Sequence, residues 1–429
     1  MRSQTRYLRH HTYRGMLPIV RFDMYRTIVR WVHVKTDHLV VLLGLAGFIV
    51  MADNWVVSPI LPAIAKSLDV PATSAGILIA AYMLPFGLFQ LIFGPLADRF
   101  GKSRIVLGTL AVFTLATAVC ATGTTLTSLA IFRALTGVFA AATMPISLAL
   151  IADAVPIERR HQAVGSFMGI SFLGQALSMG IGGAIAYFVD WRGVFIVYAI
   201  FSAIITVVLW RGLAEVRKHE TRDPQAEFLK PYGRLLRHGA SARTYAIIAA
   251  EGVFLLGSFS YLGTVLAERY DLSFLAIGGV MTAFGVAAVI GGRVSGVIAG
   301  RLGLRNTVVL GLMLTAAADV LVLVGARSLP LTGIGIFMLG FGFMTAHSTL
   351  LTIATEFAAR ARGAAMSLVT FSFMLGGAAG TGLGGRLIEA TSLDRFYLVY
   401  AVGLGLLALL SLPALSAAAS SRPTTEGTA

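Results

Sequence analysis

The sequence predicts an all-α membrane protein: twelve transmembrane helices folded as two pseudo-symmetric six-helix bundles. Three observations predict this. The chain is 57% hydrophobic and only 13% charged, with a mean hydropathy of +0.82, whereas soluble domains carry about 25% charged residues. Twelve apolar runs approach the ~20 residues needed to cross a hydrocarbon core. A constant offset of 202 positions relates the two halves, taking Ile151 to Ile353, Arg160 to Arg362, Gly174 to Gly376 and Gly182-Gly183 to Gly384-Gly385.

The runs lie near 38–60, 73–96, 103–123, 126–151, 162–188 and 193–212, then 243–266, 274–298, 306–326, 330–355, 363–388 and 395–416. They group into an N-terminal bundle at 38–212 and a C-terminal bundle at 243–416, joined by a hydrophilic linker at 213–242. Six spans per half in the same orientation are parallel repeats, related by an axis along the membrane normal. Residues 1–37 form a basic, aromatic extension in which Val20, Met24, Ile28 and Trp31 recur at helical spacing. That segment reads either as an interfacial helix or as a poorly ordered leader, with Met16 or Met24 as alternative initiators. In the linker, Phe228, Tyr232, Leu235 and Leu236 share a helical face expected to lie on the membrane surface. Residues 417–429 read as a small, polar, disordered tail.

The net charge of +14 suggests nucleic acid at first sight, but its distribution argues against that. Most of the 34 lysines and arginines fall in the termini, the linker and alternate loops. This is the positive-inside pattern, which places both termini in the cytoplasm of a multi-pass protein of the inner (cytoplasmic) cell membrane. The single cysteine, Cys120, lies in an apolar run and excludes an intramolecular disulfide.

Gly94-Pro95-Leu96-Ala97-Asp98-Arg99-Phe100-Gly101-Lys102-Ser103-Arg104 separates the second and third runs, and a degenerate copy occupies Gly296 to Arg305. Gly94 and Gly101 suit a tight turn. Asp98 suits a helix terminus or a cation, and Arg99, Lys102 and Arg104 suit the cytoplasmic side. With these residues the chain resembles the major facilitator superfamily, particularly its twelve-span drug:proton antiporters, over about 40–416. Two further stretches carry the resemblance: Ile131-Phe132-Arg133-Ala134-Leu135-Thr136-Gly137 in span four, and Asp53-Asn54-Trp55 ahead of Pro59 and Pro62 at the end of span one. Gly174, Gly180, Gly182 and Gly183 resemble the antiporter glycine motif of span five, with Ser178-Met179 in place of its Gly-Pro. The copied loop has Gly300 where the first has Asp98. The resemblance implies that the Gly94–Arg104 loop governs switching between states, and that spans one, four, seven and ten line a central cavity.

An ionised group at mid-membrane costs about 2.5–3.5 kcal/mol on insertion scales and normally meets a partner or a cavity. Five groups qualify: Asp53, Arg133, Glu251, Asp319 and His347. At about 1.5 Å per residue, Asp53 and Arg133 lie at one depth, roughly 10 Å below the outer face, and Glu251 and His347 at another, about 12 Å above the inner face. Each couple is expected either to bind the coupling proton or to fix helix packing. Protonation of Asp53 would release Arg133, and His347 can change charge near neutral pH. Asp319, in span nine, is expected to make an inter-helix contact. Asn54, Trp55, Tyr82, Gln90, Gln175, Phe254 and Phe343 are the uncharged candidates for the substrate cavity.

The eight histidines are scattered and show no metal-ligand spacing, and no phosphate-binding Gly-x-x-x-x-Gly-Lys-[Ser/Thr] loop occurs. No cofactor, metal or enzymatic activity is therefore expected. The reading is a monomeric secondary transporter that exports small amphipathic or cationic compounds against protons by alternating access. The alternatives are proton-linked transport of one metabolite such as a sugar or amino acid, an intramembrane enzyme, or a channel.

Overall fold

A computed structural model describes residues 38–220, 230–356 and 362–419. The extension at 1–37, Phe228 of the linker and most of the tail lie outside the described residues. Among the described residues, twelve helices are long and apolar enough to span a bilayer. The first six are His38–Trp55, Ala72–Phe100, Lys102–Cys120, Leu126–Ala154, Ile157–Phe188 and Trp191–Gly212. The second six are Gly239–Tyr270, Phe274–Leu302, Leu304–Arg327, Leu329–Glu356, Gly363–Ala390 and Leu393–Leu415; these are spans one to twelve. Between the halves run two short helices, Ala214–His219 and Lys230–Arg237. With an even number of spans, both ends of the described chain lie on one face, here the terminal face; the opposite one is the far face. Large apolar side chains such as Leu115, Ile204 and Leu410 stay exposed, as suits a surface solvated by lipid.

Several helices outrun their apolar segments because the polar turns beyond the hydrocarbon remain helical. Residues 94–100 are therefore the last turns of span two rather than a loop, and the chain reverses at Gly101 alone (φ 105°). In the second half the reversal falls on Gly303 (φ 79°). Among the described residues, the two other positive-φ positions are Asp69 and Asp271, and each pair is separated by the 202-residue repeat. A left-handed backbone is rare outside glycine, so its recurrence at matched sites shows that the duplication extends to backbone conformation.

Prolines decide where the central helices break. Span one turns at Val56 and continues as Val57–Ser67, because Pro59 and Pro62 supply no N–H to the carbonyls four residues earlier. Pro145 interrupts span four at Ala141–Ala142 in the same way. Span seven holds a π-helical turn at Gly252–Leu256 and breaks at Tyr261, the repeat counterpart of Pro59.

Glycines set the closest approaches inside each half. A β-carbon at Gly174 would lie 2.1 Å from the Phe48 carbonyl oxygen, and one at its counterpart Gly376 would lie 1.9 Å from the Ala249 oxygen. The halves meet through spans one and seven, two and eleven, and five and eight. Toward the far face, Gly183 packs on Phe274 and Gly278, and Thr73 and Ser74 both hydrogen-bond Glu389. Tyr261 reaches the Thr73 and Thr381 carbonyls, so the far face is closed.

Candidate functional site

In the first half, the break after Trp55 ends the regular part of span one, and Asp53 sits in its last turn. Arg133 of span four points at it: Nη1 donates to Asp53 Oδ2 at 2.7 Å and Nη2 to the Asp53 carbonyl at 3.2 Å. Both side chains are removed from solvent, at 1% and 0% exposure. The guanidinium also lies 4.4 Å from the Tyr82 ring centroid and 5.7 Å from that of Phe195. Taking two charges out of water is costly, and close pairing with further hydrogen bonds offsets it. The offset is incomplete. Among the described residues, Asp53 Oδ1, Arg133 Nε, the Tyr82 hydroxyl, Asn54 Oδ1 and Gln175 Nε2 are buried without a hydrogen-bond partner.

In the second half, His347 Nδ1 lies 2.9 Å from Glu251 Oε2. Glu251 is fully buried and His347 is 17% exposed. Glu251 Oε1 has no partner among the described residues. The imidazole packs at 4.4 Å on Phe373 and 5.3 Å on Phe343.

An aromatic bridge joins the two halves. Trp55 lies 4.8 Å from Phe259, 5.4 Å from Phe284 and 6.0 Å from Phe343, and Phe343 stacks on Phe373. The Trp55 indole of the first half is thus seated among rings of spans seven, eight and ten. Of the cavity candidates, Tyr82 lies against Arg133, Trp55 and His347 both pack on Phe343, and Asn54 is buried next to Asp53 in span one. Gln175 is buried in span five, where Ser178 donates to its carbonyl, and Gln90 is buried nearer the terminal face. Phe254 departs from expectation. It packs on Tyr400 and Gly403 of span twelve, because the π turn adds a residue and rotates that part of span seven. Phe259, Phe284 and Phe373 were not singled out from sequence; lipid-facing phenylalanines look the same, and no sequence signal separates them.

At the terminal end of span two, Lys102 pairs with Asp153 at 2.6 Å and with Asp98 at 3.8 Å. Gly101 carries the reversal, while Arg99 and Arg104 are exposed. Gly94 is mid-helix with open space where a β-carbon would be, so the turn does not require it. Asp319 accepts from Ser258 at 2.5 Å, joining spans nine and seven. Among the described residues, no group of three or more His, Cys, Asp or Glu is placed to hold a metal ion.

Residues 43–381 and 280–428 match the family model of the Major Facilitator Superfamily. The chain belongs to the major facilitator superfamily. As a major facilitator it is a multi-pass integral membrane protein and a secondary transporter of small molecules, not an enzyme. It is similar to the MFS-type transporter YceJ of Bacillus subtilis (strain 168), at 28% identity over 351 residues, 80% of this chain and 87% of that protein. It is also similar to Multidrug resistance protein D of Escherichia coli (strain K12), at 25% identity over 233 residues, 54% of this chain and 58% of that protein. Two solved structures share this major facilitator fold. A bacterial homologue of the human lysosomal transporter Spinster has a TM-score of 0.70 at 17% identity, covering 90% of this chain and 96% of that one. The nucleoside transporter NupG has a TM-score of 0.72 at 14% identity, covering 88% and 99%.

Proposed function

We propose that this facilitator exports small amphipathic or cationic compounds in exchange for protons, by alternating access. The observation that carries this reading is the fully buried Asp53–Arg133 pair. A proton arriving at Asp53 removes the charge that holds Arg133, and Arg133 must then find another partner, so proton uptake is tied to rearrangement between spans one and four. Glu251 and His347 are assigned the same role in the second half. The Glu251 carboxylate, held by the His347 that packs on the Phe343 and Phe373 rings, suits an organic cation, since ring faces also attract positive charge. The partial likeness to Multidrug resistance protein D supports the same substrate class.

The membrane orientation belongs to this reading. The basic terminal face is assigned to the cytoplasm of the inner cell membrane, with bundles at 38–212 and 243–416 rocking as a monomer about the aromatic bridge. The residues around Gly101 and Lys102 are assigned the switching role. The test is substrate flux in reconstituted vesicles under an imposed pH gradient, using a compound panel. Flux that follows the gradient and is lost in Asp53→Asn supports the reading; gradient-independent flux overturns it.

One set of atoms favours a second reading, transport of a single polar metabolite such as a sugar or amino acid. Asn54 Oδ1, Gln175 Nε2 and the Tyr82 hydroxyl are buried with hydrogen-bonding capacity unfilled by protein. Selective uptake of one neutral polar compound from the same panel would decide for it.

A further inference from the structure

The segment that joins the halves is fastened to both of them. Glu220 accepts a hydrogen bond from the Ser103 backbone N–H at 2.8 Å, in the first turn of span three. Helix Lys230–Arg237 then buries Tyr232 and Leu235 and leaves Lys230, Arg234, Leu236 and Arg237 exposed. Tyr232 and Leu235, expected on lipid, thus meet protein instead, while Leu236 stays exposed. The Tyr232 hydroxyl donates to the Leu91 carbonyl of span two at 2.9 Å, and the helix also packs against span eleven, whose Ser367 side chain lies beside the phenol.

The Leu91 carbonyl is a special acceptor. In a continuous α-helix it would receive the N–H of residue 95, and that residue is Pro95, which has none. Span two stays helical through Pro95, so the carbonyl has lost its intrahelical donor and the Tyr232 hydroxyl stands in for it. The counterpart of Pro95 in the second half is Val297, which retains its N–H, so the dock exists on one half only.

Spans two and eleven belong to different halves and pack against each other where Gly87 meets Phe371 and Met374. Leu91 is one turn nearer the terminal face than Gly87, and Ser367 one turn nearer than Phe371. When two bundles tilt about their middle, opening the far face brings their terminal ends together. Tyr232 stands where spans two and eleven would have to close.

We propose that helix Lys230–Arg237 is a strap that holds the far-face-closed state, with Tyr232 wedged between spans two and eleven and docked on the carbonyl that Pro95 leaves free. The inference rests on the alternating-access reading.

The test uses the full chain in lipid nanodiscs, in a Cys120→Ala background, with spin-label pairs at Tyr187→Cys and Leu275→Cys (far ends of spans five and eight) and at Phe100→Cys and Gly363→Cys (terminal ends of spans two and eleven). Tyr232→Phe keeps the buried ring and removes the hydroxyl. It is expected to raise the far-face-open fraction about five-fold, the equivalent of one ordinary hydrogen bond. Pro95→Ala restores the donor to Leu91 and is expected to give the same shift. The double variant is expected to show no further change, because both substitutions remove one interaction. Unshifted distances in Tyr232→Phe, or additive shifts in the double variant, overturn the strap while leaving alternating access standing. A single far-end distance in the wild type at every pH and substrate concentration, with flux intact, overturns alternating access and the strap together.

Discussion

The Ser58 hydroxyl hydrogen-bonds the carbonyl of Ser260 at 3.2 Å, and Ser260 is the residue at Ser58's own position in the second repeat. Two positions related by a two-fold rotation touch only near the axis, so this bond marks where the axis crosses spans one and seven. The same hydroxyl lies 2.7 Å from the Phe259 carbonyl, and a β-carbon at Gly263 would sit 2.2 Å from the Ser58 backbone carbonyl oxygen. Replacing Gly263 by Val is therefore expected to force the far face apart, read as increased labelling of Ser74→Cys by a membrane-impermeant thiol reagent. Unchanged labelling would contradict closure of the far face at Ser58 and Gly263.

The Asp53–Arg133 pair leads to an asymmetric expectation. Asp53→Ala leaves a buried cation unpaired and should destabilise the protein by about 3–5 kcal/mol. Asp53→Asn keeps a hydrogen-bond acceptor and should be better tolerated while still abolishing pH-driven flux. Thermal unfolding in detergent and vesicle transport separate the two effects; equal stability of the two variants would show that Arg133 has another partner.

For the second pair, His347→Ala is expected to alter the pH dependence of substrate affinity, because it removes the imidazole that holds the Glu251 carboxylate. An unaltered profile in equilibrium binding would reduce Glu251–His347 to a packing contact.

Gly174 and Gly376 offer a matched pair of packing tests. Each admits a backbone carbonyl inside the radius of a β-carbon, so Gly174→Ala and Gly376→Ala should each cost about 1–3 kcal/mol by overpacking. Gly94→Ala, with open space at the same point, should cost nothing by clash and gain a little helix propensity. Melting temperatures of the three variants check the ranking.

Burial pushes the Tyr232 phenol above its ordinary value, which is near 10. The docked strap thus favours the protonated phenol; docking is fully present below about pH 10 and weakens only above it. With the proposed proton sites neutralised by Asp53→Asn and Glu251→Gln, occupancy of the strap, read by the terminal-end labels, should be flat from about pH 5 to 9. A change within that interval would assign docking to another group.

Helical rise alone put Asp53 level with Arg133 and Glu251 level with His347, and those residues are in contact. Depth is legible because each span is a nearly straight rod of known pitch across a slab of known thickness. Azimuth is less so. Phe254, a cavity candidate from sequence, lies in the π turn at Gly252–Leu256 and packs on Tyr400 and Gly403 of span twelve. Residues 252–256 hold no proline or other local signal of that turn, and it packs closely on Phe373, whose carbonyl a β-carbon at Gly252 would meet at 2.2 Å.

Hydropathy, loop charge and the 202-residue repeat sufficed for the spans, their number and their two-fold relation, because lipid leaves a polypeptide few ways to satisfy its backbone and the repeat must fold twice alike. Those patterns run along the chain. The seating of Trp55 among Phe259, Phe284 and Phe343, and the reach of Tyr232 to the carbonyl above Pro95, depend on how one bundle lies against the other. That geometry arises from contacts between residues well over a hundred positions apart, and the one-dimensional order of residues carries no record of it.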